Sequence, residues 1–251
     1  IKKNQVFIVG GCFSYKFMFS IDDFFPEAAR QGLRYPAFKG SVSPALQKGA
    51  MIDTALRRDI FLSYPFQSMD PLLWLLDECA DDPRVNNIKI TIYRLANHSR
   101  IVQSLVRAAE NGKDVSVVME LCARFDEESN LSYAKQLQEA GCTVFYGVEN
   151  YKVHSKIISI VLRDKGKVRY ITHLGTGNYN ESTAKQYTDL NIITSDKDIG
   201  QDGIAFFSNL ATMTIDSEYR KLLVAPFTLK QGIMKAIDKE ISKGSEGSIT
   251  C

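Results

Sequence analysis

The chain has 251 residues, 45% hydrophobic and 24% charged, enough to bury a sizeable core as one large domain or two small ones. Its 31 basic and 29 acidic residues leave a formal charge of +2, which argues against bulk nucleic-acid binding and makes any anion site local. Five cysteines (Cys12, Cys79, Cys122, Cys142 and Cys251) with no C-x-x-C pair argue against a disulfide framework or a zinc site, and no apolar run approaches the length of a membrane span. A reducing cytoplasm fits, with the protein either soluble or peripheral to the membrane. The opening IKKNQVFIVGG carries no signal-peptide pattern, and GSITC stops mid-pattern, so the chain reads as a piece of something longer.

In chain order, residues 1–40 are rich in aromatics, glycine and proline and short on periodicity, as expected of a domain end and linker whose partner surface lies elsewhere. From Asp59 onward β-rich runs alternate with amphipathic stretches, which predicts a layered α/β domain over 41–221. A strand IFLSY (60–64) precedes a helix PLLWLLDEC (71–79). A strand IKITIY (88–93) precedes a helix SRIVQSLVRAAENG (99–112), and VSVVME (115–120) precedes SNLSYAKQLQEAG (129–141). Gly112 and Gly141 stand where a left-handed C-terminal cap is wanted. Four more strands follow: CTVFYG (142–147), VHSKIISIVL (153–162), KVRYITHL (167–174) and DLNIIT (189–194), with RDKGKV as a hairpin turn between the second and third. FLSYPFQSMDPLLWLLD, from Phe61, aligns with LLVAPFTLKQGIMKAID, from Leu222. Pro65 falls on Pro226, Phe66 on Phe227 and Asp77 on Asp238, so a second, truncated copy of the domain is expected over 222–251.

The chemistry concentrates in NYKVHSKIISIVLRDKGKVRYITHLGTGNYN, residues 150–180. On a strand His154, Lys156 and Ile158 project together, so an imidazole and an ammonium are aimed at one spot. A neutral imidazole is a nucleophile toward phosphorus, and an ammonium can hold a phosphoryl oxygen. A His-x-Lys pair alone is most often a polar strand face. Downstream, Gly175 and Gly177 let a backbone approach a ligand, and Asn178 and Asn180 offer amides to its oxygens. Arg94 and Arg124 end two neighbouring strands at the edge where α/β sheets gather ligands, and each offers a planar fork to phosphate. Together these groups favour a phosphate-handling site.

The segments RRDIFLSYPFQSMDP, ITIYRLANHSRIV, ELCARFDEESN, YKVHSKIISI and HLGTGNYNESTAKQYTDL together resemble the bacterial polyphosphate kinases of the first family. The catalytic half of that family is built from two phospholipase D-like domains. The likeness runs from about Tyr35 to Cys251, and residues before Tyr35 would end the family's helical head domain. It implies a phospholipase D-like layered sheet with flanking helices, the second copy truncated. It also implies that His154 becomes phosphorylated, that Arg94 and Arg124 serve phosphate and Mg²⁺, and that Tyr187 in KQYTDL contacts the nucleotide. A guanidinium has no lone pair for a metal, so the arginines are expected to act through phosphate oxygens.

The chain departs from the broad phospholipase D pattern at Val161, where that pattern has aspartate, which speaks against phosphodiesterase work. A second histidine, from the second copy, would lie about 160 residues after His154; His98 and His173 lack the lysine that would make them substitutes. The implied reaction is reversible transfer of the terminal phosphate of ATP to polyphosphate through a phosphohistidine. Its partners would be ATP/ADP and polyphosphate, with no nucleic acid, in a homo-oligomer when full length, and the isolated piece is expected to be inactive. The alternatives are a phospholipase D-type phosphodiesterase and a non-catalytic assembly module, the latter favoured by Phe17, Phe19, Phe24 and Phe25.

Overall fold

A computed structural model describes residues 2–250 except 9, 12, 13, 34, 37, 121–126, 149 and 215. Contacts divide the chain into two compact units, 1–38 and 39–251. The first holds 3-10 turns at Lys3–Gln5 and Lys16–Phe24 and a short helix α1 (Glu27–Leu33). The Arg30 guanidinium donates to the carbonyls of Asp23 and Phe25 and closes this segment on itself, while Phe17, Phe19, Phe24 and Phe25 stay exposed.

The second unit is the layered α/β domain the alternation predicts. Its elements are α2 (Met51–Arg57), β1 (Ile60–Tyr64), α3 (Asp70–Asp81), β2 (Val85–Ile92), α4 (Arg100–Glu110), β3 (Asp114–Met119), α5 (Glu127–Glu139), β4 (Thr143–Phe145), β5 (Ile157–Asp164), β6 (Lys167–Gly175), β7 (Asp189–Thr194), α6 (Lys197–Ala211) and α7 (Leu229–Ile241). One seven-stranded sheet has the order β1-β7-β6-β5-β2-β3-β4, with β2, β3 and β4 parallel and the other neighbours antiparallel. Helices cover both faces. On one face Leu72, Leu75 and Leu76 of α3, Ile101 and Leu105 of α4 and Leu137 of α5 bury against Ile88, Ile90, Ile158 and Ile171. On the other, Phe206 and Phe207 of α6 pack on Val118, Val153 and Ile157. A sheet covered on both faces needs apolar residues at nearly every strand position, which is why the runs at 157–162 and 115–119 read as near-continuous.

Local chemistry sets the helix starts. Asp196 caps α6 by accepting from the Asp198 and Ile199 N–H groups. The Glu78 carboxylate of α3 accepts from the Gly49, Met51 and Ile52 N–H groups and fixes the start of α2, and Glu181 does the same for Arg100 at the head of α4. Both caps come from far along the chain. The β5–β6 hairpin turns on Lys165 and Gly166, at φ of 48° and 76°, the two left-handed residues of a type I′ turn.

Several boundaries differ from expectation. The strand expected at 142–147 shortens to Thr143–Phe145, and that expected from Val153 begins only at Ile157. No strand forms at 222–226, although the helix after it does, as α7. Within α7 and the segment before it Leu223, Ile233 and Met234 are exposed, and Ile237 is half-buried.

Candidate active site

The sheet's directions decide what meets at its edge. The C-terminal ends of β1, β2, β3, β4 and β6 lie together with the N-terminal ends of β5 and β7, because β5 runs antiparallel to β2 and β7 antiparallel to β6. His154 and Lys156 before β5, Gly175–Asn180 after β6, Asp189 at the start of β7 and Arg94 after β2 therefore share one edge. Arg124 follows β3 in sequence but lies outside the described residues.

The segment carrying His154 leaves the ladder at Ile158, whose partner is Ile90. Side chains take over from backbone there. Thr91 Oγ1 donates to the Ser155 carbonyl at 2.8 Å and accepts the Ile157 N–H at 3.2 Å, while Glu120 Oε2 accepts the Val153 N–H at 2.9 Å. Asn130 Nδ2 donates to the carbonyls of both Tyr93 and Glu120, each at 3.0 Å, and ties the ends of β2 and β3 together. None of these side chains stood out in the sequence, because their work depends on contacts across the sheet. Thr91→Val keeps the shape but strips the buried Ile157 N–H and the part-buried Ser155 carbonyl of this partner. Urea unfolding is expected to register a loss of about 2 kcal/mol.

The two residues of the His-x-Lys pair sit in different environments. His154 is exposed, edge-to-face with Tyr93 at a ring-centroid separation of 4.8 Å. Partial burial, then the charges of Lys156 and Lys152, hold its pKa below the usual histidine value, so the imidazole is neutral at pH 7 with a free lone pair. Lys156 is buried, at 7% exposure, and its ammonium donates to the His154 carbonyl. Burial brings its pKa down to about 8 against the opposing pull of Asp189. An ammonium has three N–H donors, so one on the His154 carbonyl leaves others for a phosphate oxygen.

The glycine loop is shaped by Asp189. Its Oδ1 accepts from Thr176 Oγ1 at 2.8 Å, and the other side of the carboxylate lies against Gly177, leaving no room for a β-carbon. Gly175 is confined the same way by Asn191. The two candidate amides part company. Asn180 Oδ1 accepts from the Ser182 and Thr183 N–H groups at 3.0 and 2.9 Å, so it holds the approach to the 3-10 turn Thr183–Lys185 and that oxygen is not offered to a ligand. Asn178 Oδ1 is buried with no partner among the described residues. Tyr187 is 63% exposed just beyond the turn. Arg94 lies two residues past the end of β2, half-buried.

His173 is fully buried, with Nδ1 2.9 Å from the Tyr179 hydroxyl and its pKa pushed down by burial to about 4. It is a neutral core group. A cavity of about 510 Å³ opens beside His154, Lys156 and Gly175, with Phe206, Leu210 and Leu222 among its apolar walls. The segment forming part of that wall is stapled to α6 by the buried Asp202, which accepts from the Arg220, Lys221 and Leu222 N–H groups.

The family model for the polyphosphate kinase C-terminal domain 1 matches residues 50–216, the sheet and all the helices that cover it. The chain belongs to the polyphosphate kinase family. A polyphosphate kinase of Staphylococcus haemolyticus is 42% identical over 242 residues, which is 96% of this chain and 33% of that protein. One from Pseudomonas aeruginosa is 40% identical over 248 residues, 98% of this chain and 36% of that protein. The chain thus spans about a third of the length of these curated relatives. Among solved structures, the polyphosphate kinase from Porphyromonas gingivalis aligns with a TM-score of 0.77 at 32% identity, over 93% of this chain and 39% of that one.

The charges at the edge bear on Mg²⁺, which the family resemblance implies. His154, Lys152, Lys156 and Arg94 bring one imidazole and three cationic side chains to this edge beside the Asp189 carboxylate, and the described residues hold no group of three or more His, Cys, Asp or Glu fit for a metal. This donor set does not fit an ion held directly by protein. Mg²⁺ would need its oxygen ligands from a bound substrate.

Proposed function

We propose that this chain carries the phosphohistidine half of a site that transfers the terminal phosphate of ATP to polyphosphate and back. The observation that carries the reading is the neutral His154 imidazole with two ammoniums near it, at the sheet edge of a chain in the polyphosphate kinase family.

In this reading an imidazole nitrogen of His154 attacks the γ-phosphorus in line. An N–P bond forms, the bond from the γ-phosphorus to the β–γ bridging oxygen breaks, and ADP leaves with that oxygen and its electron pair. No acid is needed, since ADP departs as an anion. Lys156, Arg94 and Arg124 spread the charge on the equatorial oxygens, and the Gly175–Gly177 backbone admits the chain closely. The terminal oxygen of polyphosphate then takes the phosphoryl group and restores the imidazole. The phosphoramidate is a high-energy link, so the same steps run backward when ADP is abundant. In this reading Asn178 contacts phosphate, Tyr187 contacts the nucleotide and Asn180 holds the turn between them.

The pKa directions give the pH dependence. The neutral form of His154 is the reactive one and its pKa is lowered, so kcat/KM is expected to fall only below pH 6.5. Lys156 must be protonated to hold phosphate and titrates at about 8, so kcat/KM is expected to fall again above pH 8. Bound triphosphate stabilises the ammonium, so the alkaline limb moves up in kcat. A stopped-flow pH series of phosphoenzyme formation measures both limbs, and Lys156→Met removes the alkaline one.

A further inference from the structure

Tyr93 stands beside His154 and, among the described residues, belongs to neither apolar cluster of the fold. Its ring meets His154 edge-to-face, with centroids 4.8 Å apart and planes at 81°. The Lys152 ammonium lies 5.3 Å from the ring centroid and that of Lys156 5.5 Å. Its own backbone is held, since Asn130, itself fully buried, donates to the Tyr93 carbonyl. Among the described residues this half-buried aromatic at a strand end packs in neither core cluster, and its ring contacts are one imidazole and two cations.

We propose that Tyr93 is the positioning residue of this site, its ring setting the orientation of the His154 imidazole and gathering the Lys152 and Lys156 ammoniums to one place. The inference rests on the role given above to His154. An exposed imidazole samples several rotamers, and in-line attack needs its lone pair along one direction; an edge-to-face contact narrows that choice. Two like-charged ammoniums with no such anchor would splay into water. The π system of one aromatic ring attracts both and holds them beside His154 until a polyanion arrives. Lys152 thereby joins Lys156 as a phosphate-facing cation.

The test separates the ring from the hydroxyl and the position from the chemistry. In the full-length polypeptide, Tyr93→Leu is expected to slow phosphohistidine formation from ATP about tenfold in the maximal rate with a smaller change in KM, and Tyr93→Phe is expected to stay near wild type. In the 251-residue chain labelled with ¹³C at histidine Cε1, the His154 signal is expected to carry a ring-current shift in wild type and Tyr93→Phe, and to lose it in Tyr93→Leu. A Phe variant as slow as Leu, or a His154 signal unmoved in the Leu variant, would overturn the proposal. If the wild-type protein forms no phosphohistidine at all, the reading of the reaction fails instead, and the ring-current arm still decides whether Tyr93 orients His154.

Discussion

Replacing His154 by glutamine is expected to abolish phosphoenzyme formation and to cut phosphotransfer in the full-length protein by at least about 10⁴-fold, because a covalent route has no substitute nucleophile. Neither other histidine can step in. His173 is enclosed in the core and hydrogen-bonded to Tyr179, and His98 is exposed in the loop after β2, with no lysine two positions on. The fold should be indifferent. His154 is exposed and, among the described residues, its one ring contact is with Tyr93, so the stability change is expected to stay within about 1 kcal/mol. Paired measurement of turnover and of the urea midpoint checks both halves.

The second large effect concerns Lys156. Lys156→Met keeps an unbranched apolar stem in a position only 7% exposed and removes the ammonium. The charge acts from a partly dry site, where an electrostatic contact to a developing phosphoryl charge is worth far more than in water. A fall in kcat of about 10²–10³-fold is expected. The cost to the fold should be modest, because the lost donor bond goes to the carbonyl of His154, whose residue borders solvent. A variant with near-normal kcat would move Lys156 from the chemistry to the packing.

Much of this architecture is legible in the residues alone. The strands of the sheet, the type I′ hairpin at Lys165–Gly166 and three of the covering helices follow from periodicity and turn chemistry. The sharing of one edge by His154, Gly175 and Arg94 follows from the order of those strands. Two helices do not. In α6, Lys197–Ala211, Gly200 and Gly203 weaken the helical signal, and the structure gives their reason. Gly200 lies against the Tyr170 ring and Gly203 against Ser159, so the helix comes close to the sheet only where side chains are missing. α2 has seven residues and owes its start to a carboxylate from α3. The strand expected from Val153 fails for a related reason: its first residues bond to Thr91 and Glu120 side chains rather than to a neighbouring strand. What the sequence conceals in the site is of the same kind. His154 and Lys156 carry recognisable chemistry, whereas Thr91, Glu120, Asn130 and Tyr93 act by where the sheet puts them.

The most direct measurement is the location of the phosphoryl group. Full-length protein incubated briefly with γ-labelled ATP and Mg²⁺, quenched in base and digested at alkaline pH, can be read by tandem mass spectrometry. The account predicts an acid-labile, base-stable phosphoryl group on His154, discharged by ADP to give ATP and by polyphosphate to give a longer chain. A phosphoryl group on His98 or His173, or polyphosphate growth with His154 never modified, would contradict it.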